Sequence, residues 1–500
     1  MSAERLLPLA LAAALCGGTA HAAATITIVN SDAANVGFND PTPATAVDGN
    51  PGVTLGAQRL YVFQRAADSW GRLLNSNVEI KIKGSMPTLD GCGTDRVVLG
   101  QAGPDGAAAN FANAPRANRA YPSALANSLA GSDLDPSTTD LTAQFNVGLD
   151  TGTCSTGTAG WWYGVQDPAL VPANRLPLLP VVFHEIGHGL GFTSQMVSFF
   201  GFHLYLTDQP PIWLDFMYDF TEARHWSDPA MDNAWDDSWV NDPNVVWTGT
   251  NVNHYEKSFL GPPLIVHVNA PAAIVGDYQP LQTAEFGARI TGVGITGDVV
   301  LAADGVNGAP QNGGAAGTAN DGCEPFTNAA AVAGKIALVD RGYCTFTVKV
   351  KNAQIAGAVG AIVANNAITG LPSMAGTEPT VTIPSVGITQ ALGTTLKANL
   401  TGLNLTIGTG TGTSGATNGC VRLFAPNPEQ PGSSISHFHS EANPNLLMEP
   451  ALNRSIFSAV DLTIELFRDI GWSTGRDEVL MADGFDPSPC AIGPAPPPAP

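Results

Sequence analysis

The sequence predicts an α+β protein whose main domain is interrupted by an inserted, β-rich α/β domain. Three observations carry this expectation. Up to about residue 268, segments of helical period are interspersed with short alternating runs. From about 269 to 418 charges thin out and Gly, Ala, Val and Thr dominate. After 419 the earlier style resumes. The length of 500 residues exceeds one ordinary domain, and 44% apolar against 13% charged residues suits folded cores.

Ala24 to Val29 alternates like a strand. Leu60, Phe63, Ala67, Trp70 and Leu74 recur at spacings of three and four, one face of a helix that Thr54 can cap. Asn77 to Lys83 alternates again, and Leu141 to Leu149 (LTAQFNVGL) reads as a further strand. The Ala-, Asn- and Ser-rich stretch from Gly103 to Asp140 is expected to be loop. Pro177 to Gly189 turns helical, with Pro180 tolerable only in the first turn. Pro210 to Val246, rich in Trp and Asp, is expected to be irregular with short helices. In the inserted block, Lys335–Val339 is a strand, Thr345–Ala358 a helix and Gly360–Ala364 a strand, which makes a βαβ unit. Its Gly-rich flanks, 305–322 and 408–419, belong in surface loops. Near the end, Ser458 and Asp461 form a capping box, Val460, Ile464, Phe467 and Ile470 line one helical face, and Gly471 stops the helix. The Pro-rich tail from 487 to 500 is expected to be disordered.

The formal charge of −21, with no basic stripe, argues against a nucleic-acid partner. Arg5, the apolar run Leu6–Leu15 and Ala20-His21-Ala22 read as a signal peptide over residues 1–22, so the chain is expected to be secreted or periplasmic. That run is too short to span a bilayer, and no later one is longer. Removing it takes Cys16 and leaves six cysteines, an even number that suits disulfides in an exported chain. Six cysteines allow 15 connectivities. The simplest pairs nearest neighbours: Cys92–Cys154, Cys323–Cys344 and Cys420–Cys490.

His184-Glu185-Ile186-Gly187-His188 carries the chemistry. Histidines four apart on a helix project from one face and can ligate one zinc ion, while Glu185 is turned towards the open coordination position. Zinc lowers the pKa of a water towards about 7 and polarises a carbonyl, and a free carboxylate can move the proton. The bland alternative is a buried helix that happens to carry two histidines. A catalytic zinc needs a third protein ligand. Residue chemistry alone leaves His203, His225, His254, His267, His437 and His439 open, with Glu222 as a carboxylate alternative.

HEIGH followed by Gly191 resembles the metzincin metallopeptidases, whose pattern is HExxHxxGxxH. Ser194 stands where that pattern has its third ligand, a departure shared by the leishmanolysin-like branch, in which an insertion displaces the third His downstream. Gly432 to Phe438 (GSSISHF) is similar to the GSSxSHW stretch of that branch, with Phe438 for Trp, and this resemblance implies His437 as third ligand. Asn445 to Pro450 (NLLMEP) is similar to the family's Met-turn, which places Met448 beneath the metal. Leu462 to Trp472 resembles the closing helix. The resemblance implies a mixed twisted sheet with a zinc-binding helix and, by analogy, a substrate-pairing edge strand around Phe145. It also opposes Glu222, because Gly191 and the late Met segment do not suit a gluzincin.

The inserted block resembles a protease-associated domain through Cys323-Glu324-Pro325, Gly334 to Gly342 (GKIALVDRG), Cys344-Thr345-Phe346, Gly357 to Ala361 and Ile383-Pro384. It offers no nucleophile–base pair, and the resemblance implies a lid, a recruiting module or a spacer. Cys323 and Cys344 fall where that family often has a disulfide.

The expected organisation is therefore signal peptide 1–22, catalytic parts 23–268 and 419–486 around an insert at 269–418, and a tail at 487–500. The expected activity is zinc-dependent endopeptidase action on protein or peptide substrates, with Glu185 as general base and zinc on His184, His188 and His437. Calcium is left open by the many Asp residues, although no EF-hand spacing supports it. Rival readings are a silent binding protein that uses the insert for recognition, and a zinc hydrolase acting on glycans. The sequence is silent on oligomeric state.

Overall fold

The computed structural model describes residues 23–475 apart from 93–96, 155–158, 173, 200–201, 291, 309–316, 369, 373, 375, 377 and 458–460, together with 490–496. The expected signal peptide, Ser458, Val460 and the rest of the tail lie outside the described residues. The architecture is mixed α+β.

The first core gathers on a four-stranded sheet of order β1-β2-β6-β3, formed by β1 (Ile26–Asn30), β2 (Ile80–Ser85), β3 (Gly100–Pro104) and β6 (Leu141–Phe145). β1, β2 and β6 run parallel, and β3 pairs antiparallel with β6. Helix α1 (Leu55–Leu73) begins where the Thr54 hydroxyl accepts from the Ala57 N–H. Its buried face carries Val62, Phe63, Ala66, Ala67 and Trp70. The Trp70 indole N–H donates to the Phe183 carbonyl at 3.1 Å, tying α1 to the helix of the HEIGH motif.

Several sequence expectations are corrected here. The stretch Gly103–Asp140 is not loop: after the end of β3 it holds the pair β4 (Ala107–Ala109) and β5 (Ala120–Pro122) and helix α2 (Ser123–Ala130). LTAQFNVGL is a strand only to Phe145. The Asn146 side chain accepts from the N–H groups of Leu89 and Gly148, bending the chain into a short helix α3 (Gly148–Thr151). β7 (Trp161–Trp162) and β8 (Leu176–Pro177) then lead into α4 (Leu178–Leu190), with Pro180 in its first turn.

Beyond α4 come the hairpin β9 (Met196–Phe199) and β10 (Phe202–Tyr205). The Trp- and Asp-rich region is more ordered than expected. It forms a three-stranded sheet of β11 (Met217–Asp219), β12 (Arg224–His225) and β13 (Val245–Trp247), with α5 (Trp235–Ser238) between. Helix α6 (Thr250–Phe259) follows.

The second core is an eight-stranded sheet of order β15-β14-β21-β17-β18-β19-β20-β16. Its members are β14 (Leu264–Ala270), β15 (Gly276–Tyr278), β16 (Leu281–Thr283), β17 (Ile295–Leu301), β18 (Ile336–Asp340), β19 (Gly360–Ala364), β20 (Ser385–Ile388) and β21 (Asn404–Thr409). The division expected at 268/269 falls inside β14. β17 to β20 are parallel neighbours, as a βαβ crossover requires. Besides the short α7 (Ala329–Val332), helices α8 (Phe346–Ile355) and α9 (Gln390–Ala398) cover opposite faces. Ile336 and Leu338 cluster with Leu392 and Leu396 of α9, whereas Ala337 and Val339 cluster with Val350 and Ala353 of α8. Both faces of the strand are dry, which is why its sequence is apolar without alternation.

The chain returns to the first core through α10 (Leu462–Ile470). Its cap is Asp461, which accepts from the N–H of Thr463. Ile464, Phe467 and Ile470 are buried. Disulfides join Cys92–Cys154, Cys323–Cys344 and Cys420–Cys490. Part of the tail is docked, contrary to expectation: Ala495 donates to the Asp215 carbonyl at 2.9 Å and accepts from Arg116 at 2.6 Å. Among the described residues no helix is long and apolar enough to cross a membrane.

Candidate metal centre

Helix α4 presents His184 and His188 on one face, and the turn after it is sharp. Gly191 adopts φ 125°, a conformation that L side chains rarely take. That turn brings the Phe192 carbonyl back to His188, whose Nδ1 lies 2.6 Å away. His184 Nδ1 meets the Leu447 carbonyl at 2.8 Å, and His437 Nδ1 meets the Ser433 carbonyl at 2.8 Å. A carbonyl can only accept, so each Nδ1 carries the proton and each Nε2 keeps its lone pair.

The three Nε2 atoms converge. They are 3.0 Å apart for His184–His188, 3.1 Å for His184–His437 and 3.1 Å for His188–His437. Three acceptors facing one another repel unless a cation lies between them. Four ligands about 2.0–2.1 Å from a tetrahedral zinc would stand about 3.3 Å apart, close to this triangle. Burial pushes the imidazole of His184 down to about 4 and that of His188 to about 3, and holds His437 well below the usual value, so all three are neutral at pH 7 and could hold a cation. The donor set fits zinc.

The other histidines are engaged elsewhere. His439 Nε2 lies 3.1 Å from Asp242. His203 pairs with Asp236, His267 with Asp277, and His225 Nδ1 lies 3.2 Å from the Met217 carbonyl. His254 packs edge-on against Tyr255. Neither these nor Glu222 joins the cluster. Ser194 bonds the Ser436 hydroxyl at 2.9 Å and donates its N–H to the same oxygen, so it secures the neighbour of His437.

Glu185 is buried, and desolvation raises its carboxyl to about 8. A cation at the cluster would counter that rise by attraction. Met448 lies under α4: a Cβ at Gly187 would come within 2.8 Å of its sulfur. The Met448 turn is held by Asp461, which accepts from Leu447, and by Glu449, which accepts from Leu446 at 2.7 Å. Sequence reasoning gave Asp461 only a part in a capping box and gave Glu449 no role.

It also passed over β3. The expected edge strand around Phe145 is interior, with β2 on one side and β3 on the other, and β3 is the edge. A Cβ at Gly100 of β3 would fall 2.8 Å from Glu185 Cγ, so glycine is what lets the strand lie against the carboxylate. β3 and the three histidines line a cleft of about 860 Å³, with Val181, Trp239 and Glu429 also in its walls.

Elsewhere among the described residues the carboxylates of Asp304, Asp321 and Glu324 approach one another. The first two already accept from the backbone N–H groups of 306, 318, 322 and 323.

Residues 295–396 match the PA domain family. They are a PA domain. The chain is also similar to ER degradation-enhancing alpha-mannosidase-like protein 3 of Homo sapiens, 54% identical over 44 residues, 9% of this chain and 5% of that protein. A receptor homology region, transmembrane domain- and RING domain-containing protein 1 of Oryza sativa is 46% identical over 80 residues, 15% of each chain. The chain thus spans a small fraction of these relatives. Among solved structures, BSAP, a zinc aminopeptidase from Bacillus subtilis, is similar at 22% identity and a TM-score of 0.21 over 32% of this chain and 35% of its own.

Proposed function

We propose that this chain is a secreted zinc-dependent endopeptidase of metzincin type, resembling the leishmanolysin-like branch, with its catalytic domain interrupted by the PA domain. One observation carries the reading: three imidazoles, each fixed by a backbone carbonyl, turn bare Nε2 atoms to one point in a cleft that the Glu185 carboxyl also lines. His184, His188 and His437 would hold the zinc. When bound, zinc supplies Lewis acidity, which makes a water acidic near neutral pH and polarises a peptide carbonyl.

Glu185 takes the proton from the attacking water and returns it to the leaving amine. Its adjacency to His184 keeps it near the metal, and the absence of a side chain at Gly100 keeps it from being covered. β3 pairs only with β6 among the described strands, so its outer edge is open to an extended peptide. Such an edge binds substrate on both sides of the cut bond, which supports internal cleavage.

The test compares the zinc-loaded parent with Glu185→Gln on casein. The variant is expected to keep its zinc and lose about 100- to 10,000-fold of the rate. Equal or absent turnover in both proteins would favour the silent binding protein instead.

A further inference from the structure

The lining of the cleft contains a carboxyl group that the proposed chemistry leaves unused. Glu449 is 3% exposed yet lines the cleft. One of its oxygens is fixed by the Leu446 N–H at 2.7 Å. The other accepts no hydrogen bond among the described residues, and it is not among the buried polar atoms that lack a partner, so it opens onto the cleft. Its position is fixed relative to the metal centre, because the carbonyl of Leu447, two residues before it, accepts from His184 Nδ1. Val181, Leu452 and Ile456 give the same cleft part of an apolar lining. Among the described residues lining the cleft none is Lys or Arg, whereas Glu185, Glu429 and Glu449 all contribute acidic groups.

Apolar walls that end at a carboxyl with no internal cation suit a side chain with a methylene stem and a charged head. We propose that Glu449 is a specificity-determining residue that receives a Lys or Arg side chain of the peptide substrate. This rests on the peptidase reading. The stem lies along Val181, Leu452 and Ile456, and the ammonium or guanidinium group pairs with the free oxygen of Glu449. A substrate without the cation leaves that oxygen facing an apolar side chain, which penalises it.

The experiment uses the full chain loaded with zinc. A randomised peptide library is cleaved and the residues on each side of the cut are read. A matched peptide pair then carries Lys or norleucine at the enriched position. The parent is expected to enrich Lys and Arg at one position and to favour the Lys peptide by about tenfold or more in kcat/KM. Glu449→Gln keeps an acceptor for Leu446, and it is expected to bring that ratio close to one, chiefly through KM for the Lys peptide. Cleavage by the parent without basic enrichment at any position overturns this inference alone. So does a ratio unchanged in Glu449→Gln with parental zinc content. A parent that cuts no peptide overturns the peptidase reading, and this inference with it.

Discussion

The PA domain and the region that carries the histidine cluster solve the problem of a folded interior in different ways. In the PA domain the parallel strands β18 and β19 are buried on both faces, and their sequences are almost wholly apolar. In the histidine-bearing region the core is threaded by buried charge. Arg59 reaches Asp40 and Asp150, and Arg116 and Arg119 both pair with Asp215. The cluster itself joins residues 249 apart in sequence. Both regions have apolar cores, but the histidine-bearing one adds several long-range buried ion pairs and the histidine cluster to its own. They should therefore respond differently to the same perturbation.

Acidification should separate them most. His184 and His188 have folded values pushed below 6.5, to about 4 and about 3, by burial. A depressed imidazole contributes stability that is full above 6.5 and is lost as pH falls through the folded values. Glu185, raised by burial to about 8, has the opposite sign: its contribution is full below 4.5 and lost as pH rises through about 8. In the PA domain, burial lowers Lys349 from 10.5 to about 8, so its titration lies on the alkaline side. Denaturant unfolding of chelated protein should thus show the histidine-bearing region weakening between pH 6.5 and 3. Near-coincident losses in both regions would contradict the comparison. Zinc should leave the loaded protein over the acid limb, because its ligands must be deprotonated.

Ile362→Ala comes next. Ile362 is fully buried on β19, and its truncation should cost about 2–5 kcal/mol. The loss should fall on the PA domain, with zinc content kept. A variant that loses its zinc in proportion would show that the two cores are one cooperative unit.

Gly100→Val is the narrowest perturbation. The added side chain presses on Glu185 Cγ from 2.8 Å. Displacing a reacting group by about an ångström can cost about 100-fold in rate, so casein cleavage should fall towards that extent while the unfolding midpoint of the PA domain stays put. Undiminished cleavage would mean that β3 has no hold on the carboxylate.

The same contrast explains what could be read in advance. α1, the HEIGH helix and the βαβ unit are set by periodicity within short windows, and each lies close to where its pattern puts it. β3 was missed because Gly-Gln-Ala-Gly-Pro has no alternation to detect. Its strand character comes from pairing with β6, and its glycine from the closeness of Glu185. β6 was misread as an edge for the same reason, since which neighbours a strand has is not written in its own residues. Asp461 caps α10 with one oxygen and holds Leu447 with the other, a double role that its local pattern does not announce. His437 and His439 are both buried and alike in ligand type. Residue type does not distinguish them; the motif resemblance pointed to His437, and the fold brings α4 to His437 and Asp242 to His439.

That last distinction is also where the account is most exposed. Zinc content should be measured on the purified parent beside His437→Ala and His439→Ala, each freed of loose metal by gel filtration. The parent and His439→Ala should hold about one zinc per chain, and His437→Ala should hold almost none. Full zinc in His437→Ala, or its loss in His439→Ala alone, would contradict the proposed centre.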